Sequence, residues 1–287
     1  MISTTFGKAE STYLMYVFPP RLFVNYLWPC LVSLGLCLAA ANAAPQHNPT
    51  IESTLSGPSL YATPEGSGGR HGGDWDNAMS AQDGFQALWD QVPEGGRLSL
   101  GSGTYPESVS LRIRRTRDDV AVPRRGLVGI DTGGGLPVFT SDFDPRNPEK
   151  SGAVFCEITP GSGQLTIQGL RLEGYRMGIM MRGQNHDVHV IDVDVTGTRD
   201  AFFVDGGATT QAPNAGSRGL YFRGCDVNNY TKRAIRIRNG VQNATIQDCH
   251  ADAGGPAWTT ERFAMGCHLY SDKEGVVNRN ITFLDCT

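Results

Sequence analysis

The sequence predicts an all-β fold, a single parallel β-helix with three strands in each coil and a short helix capping its N-terminal end. Three observations predict it. A six-residue phrase recurs, with an apolar position, a spacer, an apolar position, a spacer, Gly or Asp, then a buried-type residue. It runs from Leu165 to Leu170, Val188 to Val193, Leu220 to Cys225, Ala244 to Cys249 and Ile281 to Cys286. The copies start 23, 32, 24 and 37 residues apart, so two intervals match one turn of a strand solenoid and two match that turn plus a loop. A second alternating strand lies in each coil, at Gly178 to Arg182, Ala201 to Asp205, Ala234 to Arg238 and Gly266 to Tyr270. Finally, one amphipathic stretch stands ahead of the coils, where a solenoid must cover its first core layer.

In chain order, residues 1–43 read as a signal peptide. An apolar run from Leu22 to Ala41 closes on Ala41-Asn42-Ala43, which fits cleavage before Ala44 and a secreted or periplasmic protein. Residues 44–59 are rich in Pro, Ser, Thr and Asn and read as a linker. Residues 60–105 form the N-terminal cap. They comprise a short strand at Tyr61, a glycine-rich turn, a Trp75-bearing turn, a helix over Ala81 to Val92 with Phe85, Leu88, Trp89 and Val92 on one face, and a strand over Arg97 to Leu100. Residues 106–164 are irregular early coils, with Val109, Leu111 and Ile113 alternating as a strand and Gly126 to Asp131 giving another. Residues 165–287 are the regular coils, in which a third short strand follows each phrase after a corner at Gly169, Asp192, Gly224 or Asp248. The chain stops at Thr287 directly after a phrase, so a solenoid that is truncated here, or covered by another chain, is expected.

The formal charge of −4 gives no sign of a nucleic-acid partner, and no membrane association is expected once the signal is removed. Five cysteines follow residue 43, an odd number that argues against a full disulfide framework. Cys225, Cys249 and Cys286 close copies of the phrase where Leu170 and Val193 stand in others, so they read as small buried hydrophobes.

The run from Tyr61 to Tyr105, with the coils behind it, resembles the entry and body of secreted right-handed parallel β-helix proteins of the pectin-lyase-like superfamily. The resemblance covers nearly all of the chain after residue 43. It implies a single-stranded right-handed parallel β-helix, and it implies catalytic roles for basic residues on the face described next.

Strand alternation turns Ile179, Phe202, Ile235 and Cys267 inward with Met181, Val204, Ile237 and Leu269, and it turns two columns outward. One column is Met180, Phe203, Arg236 and His268; the other is Arg182, Asp205, Arg238 and Tyr270. Loops at Gly206 to Arg218, Asp252 to Met265 and Ser271 to Asn280 abut the ends of these strands, as groove walls would. The tract Lys232 to Arg238 places four cations in seven residues. It reads either as a solubilising face or as an electropositive groove for an anionic chain such as a polyuronate.

Eliminative cleavage of a uronate needs a base for the proton beside the carboxyl and cations or a metal for the charge that develops. Lys232, Arg236 and Arg238 are the candidates for base and neutraliser, and His268 for acid or base. Phe203, Arg182, Tyr270 and Arg233 are candidates for substrate binding, since aromatic faces stack on sugars and arginine pairs with carboxylates. Asp205 is a candidate calcium ligand or orienting group. Asp200 joins it as a metal candidate and as the one obvious carboxylate pair for hydrolysis. The expected function is therefore a polysaccharide lyase acting on an acidic polysaccharide. A glycosidase or uronate epimerase, or a non-catalytic carbohydrate-binding or adhesive β-helix, are the alternatives.

Overall fold

A computed structural model describes residues 55, 57–114, 124–148, 150–254 and 264–287. The signal segment, most of the linker and part of the Asp252 to Met265 loop lie outside the described residues. The described chain belongs to one compact unit, Thr54–Thr287, and it is a parallel β-helix built on two long sheets. The larger sheet runs through Met79–Ser80, Ser59–Thr63, Arg97–Leu100, Arg125–Gly129, Gly163–Glu173, His186–Thr196, Arg218–Arg223, Gln242–Gln247 and Arg279–Leu284. The smaller runs through Leu111–Ile113, Val154–Ile158, Met177–Arg182, Asp200–Asp205, Arg233–Arg238 and Met265–Tyr270. Every pairing between these strands is parallel, as chain that returns once per coil requires.

The repeated phrase sets the register. Leu165 lies opposite Val188, Val188 opposite Leu220, Leu220 opposite Ala244, and Ala244 opposite Ile281. Loops absorb the unequal spacing without a slip, because a one-residue slip would turn every core side chain to solvent. The corner residues Gly169, Asp192, Gly224, Asp248 and Asp285 have φ of 66, 50, 62, 50 and 49°. Gly and Asp recur there because they tolerate the left-handed region. After the corner, Asp226–Asn228 and His250–Asp252 form separate short strands. In the two preceding coils the same segment continues the phrase as one 11-residue strand. Gly129 needs its missing side chain for another reason: a Cβ there would meet the carbonyl of Gly169 in the next coil.

The interior is a continuous stack. Leu165, Ile167, Val188, Val190 and Phe222 are fully buried from the larger sheet, and Ile179, Val204 and Ile237 from the smaller. At the N-terminal end the helix is shorter than the sequence suggests, a 3-10 turn at Ala81–Asp83 followed by Phe85–Gln91. Gly84, at φ 115°, separates the two. Phe85 starts an aromatic column, meeting Tyr105 and Phe139 edge-on, with Tyr105 stacked on Phe139 at 4.5 Å and Phe155 at 4.8 Å beyond. Two strands absent from the sequence reading, Val138–Thr140 and Val154–Ile158, bring Phe139 and Phe155 into this column. Cys225 and Cys249 are buried as expected, whereas Cys286, in the last coil, is only half-buried, and all five described cysteines are free.

A clip on the larger sheet joins neighbouring coils. Arg124 donates to the carbonyls of Leu165 and Asp187 and pairs with Asp187 Oδ2 at 2.7 Å, and His189 Nε2 lies 3.2 Å from Asp187 Oδ1. The His189 hydrogen bond and the Arg124 charge lower the Asp187 carboxyl to about 2. A carboxylate held below its ordinary 3.8 stabilises the fold fully above that value, and the stabilisation is lost as pH falls toward about 2. Asp187→Asn should therefore be less stable than wild type at neutral pH, with the gap closing across that acid range. Acid titration followed by circular dichroism checks this.

Candidate functional site

The outward face of the smaller sheet carries a groove of about 710 Å3 lined by Arg112, Glu157, Arg176, Met180, Arg182, Phe203, Asp205, Arg236 and Arg238, with Ser110, Ala153, Val154 and Met177. Cross-strand register builds it. Arg112, Glu157, Met180, Phe203, Arg236 and His268 follow one another coil by coil, as do Arg182, Asp205, Arg238 and Tyr270. Both columns follow the alternation read from the sequence. The early coils add Arg112 and Glu157, which sequence reasoning missed; Arg176, whose place just ahead of Met177–Arg182 the sequence does show, also lines the groove. Alternation in Val154–Ile158 was the available signal, but no repeat phrase marked that strand.

Met180 and Phe203 point outward yet are only 5% and 8% exposed. The Phe203 ring is covered by two guanidiniums, Arg236 at 4.6 Å from its centroid and Arg238 at 5.1 Å. Phe203 is therefore a platform for arginines, with its face already occupied, and the expectation that it stacks on a sugar is corrected. Tyr270 has a similar role. Its ring stacks on His268 at 4.4 Å, and its hydroxyl accepts from Arg236 Nε at 3.0 Å, from Arg236 Nη2 and from Arg238 Nη1 at 3.4 Å. The phenol oxygen orients the arginines, and the ring is not open for stacking on its histidine side.

Most cations of the groove are balanced from within. Arg112 and Arg182 share Glu157, at 3.5 and 2.8 Å. Arg238 binds Asp205 Oδ2 through Nη2 at 2.6 Å and Nε at 2.9 Å, and reaches Asp272 at 3.4 Å. Burial works against the Arg238 charge, but Tyr270 and Asp205 together hold its pKa above the usual value. Arg238 stays a cation, which removes it as a base. Arg236 differs: it has no carboxylate partner among the described residues.

Lys232 does not line the groove. It precedes the strand, with its backbone N–H bound to the Arg199 carbonyl at 3.1 Å, so its assignment as the base is not supported by position. Arg233 is buried rather than facing substrate. Its Nη1 lies 3.2 Å from Asp200 Oδ1, its Nε donates to His268 Nδ1 at 2.9 Å, and Arg199 Nη1 approaches Asp200 Oδ2 at 3.5 Å. Asp200 is fully buried between these arginines. Removing one member of a buried ion network strands its partners in low dielectric. Asp200→Asn should cost about 3 kcal/mol of stability, read as a shift in the denaturation midpoint.

The metal expectation meets the same facts. Calcium takes six to eight oxygens, whereas Asp200 is enclosed by guanidiniums, and Asp205 serves Arg238, the Gly207 N–H and Asn239. No group of three or more His, Cys, Asp or Glu among the described residues is arranged to hold a metal ion. This donor set does not fit calcium, and no step is assigned to it.

No family model and no curated protein matches the chain. Similar solved structures include pectate lyase Pel9A, at 14% identity and a TM-score of 0.45, over 73% of this chain and 57% of that one. A rhamnogalacturonan lyase is similar at 12% identity and a TM-score of 0.47, over 79% and 62%. The chain thus spans 57% and 62% of the length of these two structures. The fold assignment rests on the strand pairing itself.

Proposed function

We propose that the chain is a secreted enzyme that cleaves an acidic polysaccharide by elimination, with the arginine-lined groove as its active site. The carrying observation is Arg236. A buried or half-buried guanidinium normally sits against a carboxylate, and this one, braced by Tyr270 and Phe203 in the groove, has none among the described residues. A uronate carboxylate would complete it, through the two parallel N–H bonds that arginine offers.

In the elimination, water in the open groove takes the proton from the ring carbon beside the carboxyl, the electron pair left behind forms the new double bond, and the glycosidic carbon–oxygen bond at its far end breaks, the departing oxygen taking its proton from water. Negative charge builds on the carboxyl meanwhile. Arg236 is placed to neutralise it, with Arg238 adding a fixed positive field. Both acidic residues of the groove, Glu157 and Asp205, are held by arginines, which gives a two-carboxylate hydrolytic mechanism no free pair.

The test is product analysis with polygalacturonate, alginate and glycosaminoglycans. Elimination yields an unsaturated uronate absorbing near the ultraviolet edge. New reducing ends without that absorbance would instead indicate hydrolysis, and binding without turnover would indicate a carbohydrate-binding module.

A further inference from the structure

We propose that His268 is a fixed, neutral hydrogen-bond donor that extends the groove by one coil, and that Arg233 is the positioning residue that sets its tautomer. This rests on the groove being the substrate site. The chemistry of the Arg233 contact decides the tautomer. A guanidinium Nε carries a proton and can only donate, so the His268 Nδ1 that receives it at 2.9 Å must present its lone pair. The single imidazole proton then resides on Nε2.

The surroundings keep the ring in that form. Arg233 is held in place by the buried Asp200. Arg236 lies opposite His268 in the neighbouring coil, and Tyr270 stacks on the ring from its own strand. Burial, then the charges of Arg233 and Arg236, push the imidazole down to about 4. A base needs its free nitrogen facing substrate, and here that nitrogen is consumed from within. A neutral imidazole N–H is also far too weak an acid to protonate a leaving group at neutral pH.

What remains is Nε2–H, a donor beside Arg236 and about one coil spacing, 4.8 Å, further along. The Arg236 subsite suits a carboxylate, so the His268 subsite suits an oxygen acceptor, a hydroxyl or ring oxygen, on the adjoining sugar. A neutral donor there adds recognition without repelling the arginine row.

The test combines nitrogen NMR of the full chain with two variants. In wild type, the imidazole signal lost in His268→Gln should show the Nε2–H tautomer at pH 7 and no titration above pH about 5. A cationic ring or an Nδ1–H tautomer at pH 7 would overturn the proposal, and neither outcome depends on any activity. In turnover, glutamine places an amide N–H near the Nε2 position. His268→Gln should therefore stay within about threefold of wild type, while His268→Ala should lose about tenfold, the scale of one neutral hydrogen bond. Equal losses of about a hundredfold or more in both, with a limb removed from the pH profile, would mark a general base and refute the donor role. If no acidic polysaccharide is turned over, the functional reading fails while the NMR result still decides the tautomer that the Arg233 contact requires.

Discussion

Arg236→Ala is expected to lower kcat/KM on the preferred polyuronate by about two to three orders of magnitude, the loss seen when one preorganised charge-stabilising donor is removed. The folded state should hardly notice. Arg236 closes no internal ion pair among the described residues, and its contacts are a phenol oxygen and two aromatic faces. Arg236→Lys should recover little, because an ammonium cannot offer two parallel N–H groups or lie flat over Phe203. Initial rates and thermal midpoints measured on the same preparations separate lost chemistry from lost folding. A variant that keeps near-wild-type kcat/KM removes Arg236 from the site.

Phe139→Ala is the largest stability effect we expect. Its ring is fully buried and touches Phe85, Tyr105 and Phe155. Truncation would open a cavity inside a column that cannot collapse, since strands of neighbouring coils hold its walls. Large aromatic deletions in such cores cost about 3–5 kcal/mol, which for a domain of this size lowers Tm by about 6–20 °C. Tyr105 makes the same region less forgiving, because its hydroxyl is pinned to the carbonyls of Ala62 and Gly101. A denaturation midpoint within a degree of wild type would show that the aromatic column does not hold the N-terminal coils.

Fold and site differed in how far the amino acids disclose them. The phrase from Leu165 onward was readable because burial demands the same residue types at each turn, and the loops of unequal length leave that demand untouched. Corner positions followed for the same reason, since Gly and Asp answer a backbone need that is local. Val154–Ile158 and Val138–Thr140 escaped because their coils carry the long Asp142 to Ser151 insertion and no matching phrase.

The outward columns were also readable from alternation, and the groove contains Arg182, Phe203, Asp205, Arg236 and Arg238 as expected. Which of these charges stays unmatched was not readable. Glu157 takes up Arg112 and Arg182, and Asp200 takes up Arg233 from inside the coil, and both depend on distances between coils rather than on spacing along the chain. The same pairings turn Phe203 and Tyr270 from sugar platforms into supports for arginine.

The most direct measurement of the central claim compares turnover of a polyuronate with turnover of the same polymer after its carboxyls are reduced to alcohols. The charge recognised by Arg236 is removed while chain length and linkage are kept. Our account predicts that elimination ceases on reduction, because the ring proton loses the carboxyl that acidifies it, and that binding of the neutral polymer is insensitive to Arg236→Ala. Equal turnover of the two polymers, or a neutral polymer still sensitive to Arg236→Ala, would contradict it.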